Sequence, residues 1–314
     1  MKLRITHDTR YLYEHMVDGA LHQAHLRPVA TPLQTTLLHA LDVDPAPAWI
    51  EHRQDLFGNG VDWFAIDHPH DHLGVRSVSD VCTTAPPPAF STVAWEAVRE
   101  RFVYRQGAPY DPASQYVYPS VHVRTRPEFI DYASPSFTPG RALVEAACHL
   151  TARIHHEFSY RAGSTEIGTP AETTLIRRAG VCQDFAHVLL CCLRSLGLAA
   201  RYVSGYLLTM PPPGQPRLRG ADASHAWVSV YVPDLPAWLP VIGGAVPAGE
   251  DSAPQGGWFD LDPTNNRVGW MAPGEDYVCL AVGRDFADVS PIRGVLYGHA
   301  DHTLSVGVTV EPIA

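Results

Sequence analysis

The stretch from Ala179 to Leu196 reads AGVCQDFAHVLLCCLRSL, and it predicts a buried helix that begins at or near Cys182. Apolar side chains recur in it at three- and four-residue spacing, which is the period of a helix with one apolar face. The residues with this spacing are Phe185, Val188, Leu189, Cys192, Leu193 and Leu196. Gly197 follows directly and predicts the end of the helix.

The position of Cys182 at a helix N-terminus has a chemical consequence. The first N–H groups of a helix have no partner within the helix, and the helix dipole is positive there, so this end favours an anion. A thiolate is such an anion, and a reactive cysteine is typical of this position beside a protonated histidine. A lone cysteine is more often a small core residue, so Cys182 alone leaves both interpretations open.

Two short strands downstream supply the groups that a cysteine nucleophile needs. The segment SHAWVSVYV, residues 224–232, is β-branched and aromatic after its first residues, and it carries His225 at its start. The segment GWFDLD, residues 257–262, predicts a second strand that ends at Asp262. In this order Cys182, His225 and Asp262 would provide a nucleophile, a base and a carboxylate that orients the imidazole.

Other assignments of these groups remain open from spacing alone. Asp260 and Asp262 are two residues apart, so both side chains lie on one face of the strand and either could orient the histidine. Cysteine, histidine and aspartate could also bind zinc, but a helix N-terminus that stabilises a thiolate disfavours a cation. His187 is five positions beyond Cys182, about 140° around the helix, so it is expected to face away from the cysteine.

Three segments taken together resemble the core of the transglutaminase-like superfamily: GVCQDFAHVLLCCLRSLGLAARYVSGYL, SHAWVSVYVP and GWFDLDPTNN. The resemblance is to the bacterial branch, in which a β-rich N-terminal domain precedes the core, and it extends over nearly the whole chain. It implies that Cys182 is the nucleophile, that His225 is the base, and that Asp262 rather than Asp260 is the acid. The C-terminal GRDFADVSPIRG is also typical of this branch, with a role that the sequence does not explain.

The resemblance implies an α+β fold with a papain/transglutaminase-like core, in which the helix bearing the cysteine packs on an antiparallel β-sheet. Residues 1–85 are predicted to form a small β-sandwich, because short alternating strands are separated by turn residues. The stiff Pro86–Pro88 linker marks the boundary. Residues 86–314 are then assigned to the catalytic core, with strands in 275–314 closing a sheet. Residues 210–216 and 233–255 are predicted loops.

Composition limits the possible partners and the location. The 314 residues include 33 acidic and 23 basic ones, a formal net charge of −10, which argues against nucleic acid and anionic membrane as partners. No apolar run approaches the roughly 18 residues of a membrane span. The N-terminal MKLRITHDTRYLYEH lacks the apolar core of a signal peptide, so a cytoplasmic location with six reduced cysteines is expected.

These observations predict an enzyme in which Cys182 attacks an amide carbonyl, forms a thioester and releases an amine. Hydrolysis of a peptide or isopeptide bond is the preferred outcome. Protein crosslinking or deamidation is the alternative, and a non-catalytic peptide-binding module is the alternative of another class. A peptide or protein substrate is expected, with no cofactor and no metal; the sequence leaves the oligomeric state open. The further candidates for contacts with the substrate are Gln183, Asp184, Tyr206, Ser224 and Trp227.

Overall fold

The computed structural model describes residues 1–88, 91–108, 110–209, 224–233, 256–298 and 300–314. The predicted loop at 210–216 and, apart from Pro233, the one at 233–255 lie outside the described residues. The described strands are β1 (Lys2–Val17), β2 (Gly19–Ala24), β3 (Gln34–Asp44), β4 (Trp49–Gln54), β5 (Gly60–Ile66), β6 (His70–Thr83), β7 (Ser159–Tyr160), β8 (Ala179–Gly180), β9 (Ala200–Leu207), β10 (Ser224–Val232), β11 (Gly257–Asp262), β12 (Arg267–Trp270), β13 (Tyr277–Gly283), β14 (Ile292–Tyr297) and β15 (His302–Pro312). The described α-helices are α1 (Trp95–Arg101), α2 (Pro127–Ala133), α3 (Leu143–Glu157), α4 (Ala171–Arg177), α5 (Cys182–Ser195) and α6 (Phe286–Val289).

Helix α5 is the central helix of the core, and its predicted start at Cys182 is confirmed. It ends where predicted, because Gly197 adopts a φ of +79°, a backbone conformation that glycine reaches without strain. The residues from Asp184 to Arg194 are all buried. The helix packs against β9 and β10 on one side and against α2, α3 and α4 elsewhere.

The sheet beneath α5 has the strand order β12-β11-β10-β9-β13, and every neighbouring pair in it is antiparallel. The predicted α+β core, a cysteine-bearing helix on an antiparallel sheet, is therefore confirmed. Apolar residues of α5 and the sheet share one buried cluster, which includes Phe185, Leu189, Val228 and Leu261. This packing holds α5 against β10, the strand that carries His225.

The six N-terminal strands, β1–β6, form two further four-stranded sheets together with β14 and β15, with the orders β15-β1-β6-β3 and β14-β2-β5-β4. Side chains from both sheets meet in a second buried cluster that includes Ile5, Phe64 and Val75. The predicted sandwich is present. Tyr206, Val278 and Leu280 of the core sheet join the same cluster, so the two parts of the chain share an apolar interface.

The C-terminal strands do not lie where the sequence analysis placed them. Only β13 joins the core sheet, whereas β14 pairs with β2 and β15 pairs with β1 from Leu3↔Pro312 to Tyr13↔His302. The assignment of residues 292–312 to the core was therefore wrong. The physical reason is that β1 and β2 would each be an edge without these strands, and Val308 and Val310 complete the buried cluster of the sandwich.

The longest helix described, α3, has 15 residues. Within the described ranges, no helix combines the length and the apolar character needed to cross a membrane.

The sandwich buries histidines in a neutral form, and this predicts that acid weakens the fold. His22 is 5% exposed, and neither of its ring nitrogens has a hydrogen-bond partner. Burial and the nearby His70 lower the pKa of His22 to about 4. The unfolded chain takes up the proton near pH 6.5, so this contribution to stability is lost as the pH falls from 6.5 towards 4. His22→Leu should reduce the loss of unfolding free energy between pH 7 and pH 5 by about 2 kcal/mol.

Urea unfolding of both proteins at the two pH values measures this difference. His15→Leu is a control in the same sandwich, because His15 is exposed. An unchanged pH dependence in His22→Leu would show that the acid sensitivity comes from other groups.

Candidate active site

The backbone before Cys182 is held in an extended conformation. Strand β8 pairs in parallel with β7, so that Ala179 lies opposite Ser159, and the Arg161 N–H donates to the Gly180 carbonyl at 2.8 Å. Cys182 follows as the first residue of α5 and is partly exposed. At this position its own N–H has no partner within the helix and can donate to an anion.

Asp184 fixes the start of α5 and is not available to a substrate. Its Oδ2 accepts from the Val181 N–H at 2.7 Å and from the Thr165 hydroxyl at 2.6 Å, and the side chain is buried. Gly180 leaves room for this carboxylate, since a Cβ there would lie 2.6 Å from Asp184 Oδ2. The structure therefore places Asp184, a predicted contact for substrate, at the cap of α5 with its carboxylate hydrogen-bonded within the protein.

His225 and Asp262 are brought together by neighbouring antiparallel strands. His225 near the start of β10 donates from Nε2 to Asp262 Oδ2 at the end of β11, at 2.7 Å. Asp260 instead accepts from the Trp227 indole N–H at 2.8 Å. The structure therefore pairs the histidine with Asp262 and uses Asp260 for a separate contact.

Asp262 is completely buried and accepts hydrogen bonds on both oxygens. Besides His225, its Oδ2 accepts from the Tyr277 hydroxyl at 2.6 Å and from Asn265 Nδ2 at 2.8 Å. Its Oδ1 accepts from the N–H groups of Thr264 and Asn265 at 2.8 and 3.2 Å. Burial opposes the charge, but the donors, His225 first, hold the pKa of Asp262 below its ordinary value.

Sequence reasoning missed two of these donors. Asn265 belongs to the motif that follows Asp262 and could have been proposed, because a turn after a strand brings its side chain back to the carboxylate. Tyr277 lies on β13, and the strands β9 and β10 separate β13 from β11 in the sheet. Its approach to Asp262 depends on the strand order, which no local pattern in the sequence predicts.

The environment of His225 stabilises its protonated form. Burial opposes the charge, but hydrogen bonds with Asp262 and Cys182, and electrostatic interactions with both groups, raise the pKa of His225 to about 10. Because Asp262 takes Nε2, the ring nitrogen left for Cys182 is Nδ1. At neutral pH the site thus holds an imidazolium between a carboxylate and the cysteine sulfur.

An aromatic wall closes the site behind His225. The ring of Trp227 stacks on the imidazole with centroids 6.1 Å apart, and Tyr277 meets Trp227 edge-on at 5.4 Å. Trp227, a predicted contact for substrate, is only 1% exposed, so the structure places it behind the imidazole and not at an accessible surface. Gly205 is required beneath this wall, because a Cβ there would lie 2.5 Å from the Trp227 ring and 2.1 Å from the Val278 carbonyl.

The remaining substrate candidates divide into one that is buried and two that are accessible. Tyr206 is 1% exposed and its hydroxyl is hydrogen-bonded to His7 Nδ1 at 2.8 Å, so the structure places it away from any accessible surface. It belongs to the interface with the sandwich. Ser224 is exposed directly before His225, and Gln183 is partly exposed beside Cys182 with its Nε2 donating to the Ile167 carbonyl. Both stay predictions.

Tyr160 is a further accessible residue near the cysteine that sequence reasoning did not select. Its side chain is 55% exposed, and its ring meets Phe185 edge-on at 6.3 Å. Burial of part of the ring and the nearby charges of Cys182 and Asp184 raise the pKa of Tyr160. Its backbone is part of β7, the strand that pairs with the segment leading into Cys182.

The GRDFADVSPIRG segment has a structural explanation. Asp285 caps α6 by accepting from the Ala287 N–H at 2.9 Å, and it also accepts from the His122 N–H at 2.7 Å. His187 stacks on His122 with centroids 5.2 Å apart, so it faces away from Cys182 as predicted. The segment then carries the chain from β13 into β14 of the sandwich, where Arg293 donates to Gln23 at 2.9 Å.

The described residues include no group of three or more histidine, cysteine, aspartate or glutamate side chains placed to hold a metal ion. All six cysteines, which are described residues, have free thiols.

Comparisons with known proteins identify both parts of the chain. Residues 3–82 match the family described as the bacterial transglutaminase-like N-terminal region, and residues 131–263 match the transglutaminase-like superfamily. An uncharacterized protein of Mycobacterium tuberculosis is 37% identical over 99% of this chain and 93% of its own length. An uncharacterized protein of Mycobacterium leprae is 30% identical over 100% of this chain and 99% of its own length.

A solved structure has the same fold. The crystal structure of a candidate cysteine protease from Cytophaga hutchinsonii superposes with a TM-score of 0.68 at 22% identity, covering 100% of this chain and 92% of that one. The cysteine-bearing helix, the antiparallel sheet beneath it and the preceding β-rich domain thus agree with the two family matches and with the fold of that structure. The chain belongs to the transglutaminase-like superfamily, in the bacterial branch that carries a β-rich N-terminal domain.

Proposed function

We propose that this protein is a cysteine-dependent enzyme that hydrolyses a peptide or isopeptide bond through a Cys182–His225–Asp262 triad. The observation that carries the proposal is the position of His225. Its Nε2 is hydrogen-bonded to Asp262, and its ring is also hydrogen-bonded to Cys182. Membership of the family supports a cysteine-dependent activity.

The proposed reaction begins with the thiolate of Cys182 attacking the carbonyl carbon of an amide. The negative charge moves to the carbonyl oxygen, which the N–H of Cys182 at the start of α5 is positioned to receive. The imidazolium of His225 gives its Nδ1 proton to the leaving nitrogen, the C–N bond breaks, and a thioester remains on Cys182. Asp262 holds the ring orientation throughout and stabilises the imidazolium.

The second half of the reaction releases the acyl group. Neutral His225 takes a proton from water at Nδ1, and the resulting hydroxide attacks the thioester carbonyl carbon. The C–S bond breaks, the carboxylic acid leaves, and the thiolate and the imidazolium are restored. Crosslinking uses the same thioester with an amine in place of water, and deamidation is hydrolysis of a side-chain amide.

The alternative of a non-catalytic peptide-binding module is less well supported by the site. Burying a carboxylate beside a protonated imidazole requires a full set of donors, and Asp262 receives five hydrogen bonds from four residues. A groove that only binds peptide gains nothing from such an arrangement behind its surface.

The exposed Ser224 and Tyr160 are the contacts proposed for the substrate.

The first test is the reactivity of Cys182. Cys182 and Cys82 are both partly exposed, so they make a matched pair in which only Cys182 has a helix N-terminus and a histidine beside it. Iodoacetamide at pH 7, read residue by residue by mass spectrometry, should modify Cys182 roughly tenfold faster or more, because the thiolate is the reacting species. Burial raises the pKa of Cys191 to about 12, so that thiol should stay unmodified in the folded protein.

The control is His225→Ala, which should lower the rate at Cys182 towards that at Cys82. Equal rates for Cys182 and Cys82 in the natural protein would remove the case for an activated nucleophile.

Incubation with a peptide library and a primary amine then separates the three reactions, because cleavage, deamidation and amine transfer produce different mass changes.

A further inference from the structure

The far edge of the core sheet is covered by two carboxamide side chains of the sandwich. Gln34 donates from Nε2 to the Cys279 carbonyl and accepts from the Cys279 N–H at Oε1, both at 2.7 Å. Asn59 donates from Nδ2 to the Val282 carbonyl at 2.7 Å and accepts from the Val282 N–H at 2.8 Å. Each carboxamide thus makes the pair of hydrogen bonds that a neighbouring strand would make with β13.

These contacts are deeply buried. Gln34 is 5% exposed and Asn59 is fully buried, so water has little access to this edge of β13. Unpaired backbone N–H and C=O groups are costly when they are buried, so these two pairs of hydrogen bonds stabilise β13 in its present position. The position of β13 therefore depends on the sandwich as well as on its pairing with β9.

Strand β13 carries a donor of the active site at its first residue. Tyr277 is two residues before Cys279, is 2% exposed, and donates from its hydroxyl to Asp262 Oδ2 at 2.6 Å. The hydrogen bonds of Gln34 are therefore separated from this donor by one short length of extended backbone. A displacement of β13 would lengthen the contact between Tyr277 and Asp262.

We propose that the sandwich positions the active site: Gln34, supported by Asn59, holds β13 where Tyr277 fixes the carboxylate of Asp262. The inference rests on the proposed function, since it assigns Asp262 a part in the reaction. Gln34, Asn59 and Tyr277 are positioning residues in this proposal, because they act through Asp262 on His225. The N-terminal domain would then be required for the chemistry and not only for the stability of the fold.

The test is the acid side of the pH profile for alkylation of Cys182. The Tyr277 hydroxyl is one of the donors that keep the pKa of Asp262 low, so Tyr277→Phe should let Asp262 take up a proton at higher pH. A protonated Asp262 no longer stabilises the imidazolium, and the thiolate paired with it is lost. The midpoint of the acid limb, the pH at which the alkylation rate of Cys182 has fallen to half, should therefore move up by roughly 0.5–1 pH unit.

Gln34→Leu should move the midpoint in the same direction, because it releases β13 without touching the site. If Gln34 acts through Tyr277, the double variant should shift no further than Tyr277→Phe alone. Tyr206→Phe is the matched control: it removes a hydrogen bond between His7 of the sandwich and β9, and it should lower the melting temperature without moving the midpoint.

Three results would overturn the inference. An unchanged midpoint in Gln34→Leu with a lowered melting temperature would show that the contact only stabilises the fold. A double variant with additive shifts would show that Gln34 does not act through Tyr277. If Cys182 of the unsubstituted protein is alkylated no faster than Cys82 at any pH, the proposed function is overturned, and this inference with it. If Gln34→Leu does not fold, Gln34→Glu keeps the acceptor for the Cys279 N–H, removes the donor, and is expected to give the same direction of shift.

Discussion

Asp262→Asn is expected to reduce turnover by at least roughly 10²-fold while the protein stays folded. An asparagine at this position can still hydrogen-bond the His225 ring, but it cannot stabilise the imidazolium that the site holds at neutral pH. Both oxygens of Asp262 accept hydrogen bonds, so whichever of them the amide N–H₂ replaces, donors would face a donor. The measurement is the rate on a peptide substrate identified by the library, with circular dichroism to confirm folding.

Asp260→Asn is the matched control for this change. It replaces the same residue type two positions earlier on β11, where the carboxylate accepts from the Trp227 indole N–H and burial raises the pKa of Asp260 to about 6. An asparagine oxygen can accept the same bond, so little activity should be lost. If Asp260→Asn is the inactive variant instead, the acid of the triad has been misassigned. If both variants stay active, His225 is oriented by another group.

Arg194→Ala is expected to lower the free energy of unfolding by roughly 3–5 kcal/mol. Arg194 is 2% exposed at the end of α5, and burial lowers its pKa to about 10, which leaves it charged at neutral pH. Its guanidinium donates to the backbone carbonyls of Ala200, Tyr118 and Arg284, which lie in three separate segments. It also donates to the hydroxyl of Ser120. Alanine would leave these acceptors buried without their donor.

Guanidinium unfolding followed by circular dichroism measures this loss. Arg177→Ala on the exposed side of α4 is the control and should change the unfolding free energy by less than about 0.5 kcal/mol. A loss below about 1 kcal/mol in Arg194→Ala would mean that water or a rearranged loop replaces the guanidinium.

Local sequence predicts those parts of the site whose position depends on a single helix or strand. The helical period around Phe185 and the glycine at 197 located the start and end of α5. The histidine and the carboxylate were found because each lies at the end of a recognisable strand. The choice of Asp262 over Asp260 came from the family resemblance, since two residues on one face of a strand are equivalent by spacing.

The parts that could not be predicted depend on what covers each element. Tyr206 lies on a strand beside the site, but alternation reveals which side chains share a face and not which domain packs on it. Strands β14 and β15 have the pattern of sheet strands, and that pattern is equally compatible with either domain. Tyr277 reaches Asp262 only because β13 joins the sheet at one particular edge, and strand order is a property of the whole fold.

The pairing of β15 with β1 makes the core an insertion between the first and last strands of the sandwich. During synthesis, the edge of β1 must wait for residues 302–312, which emerge almost 300 residues later. Contacts this distant in the chain close slowly. The core, whose helices and strands are consecutive, can form while the ribosome is still extending the chain. We therefore expect the sandwich to be completed last, with the edge of β1 left unpaired until β15 has been synthesised.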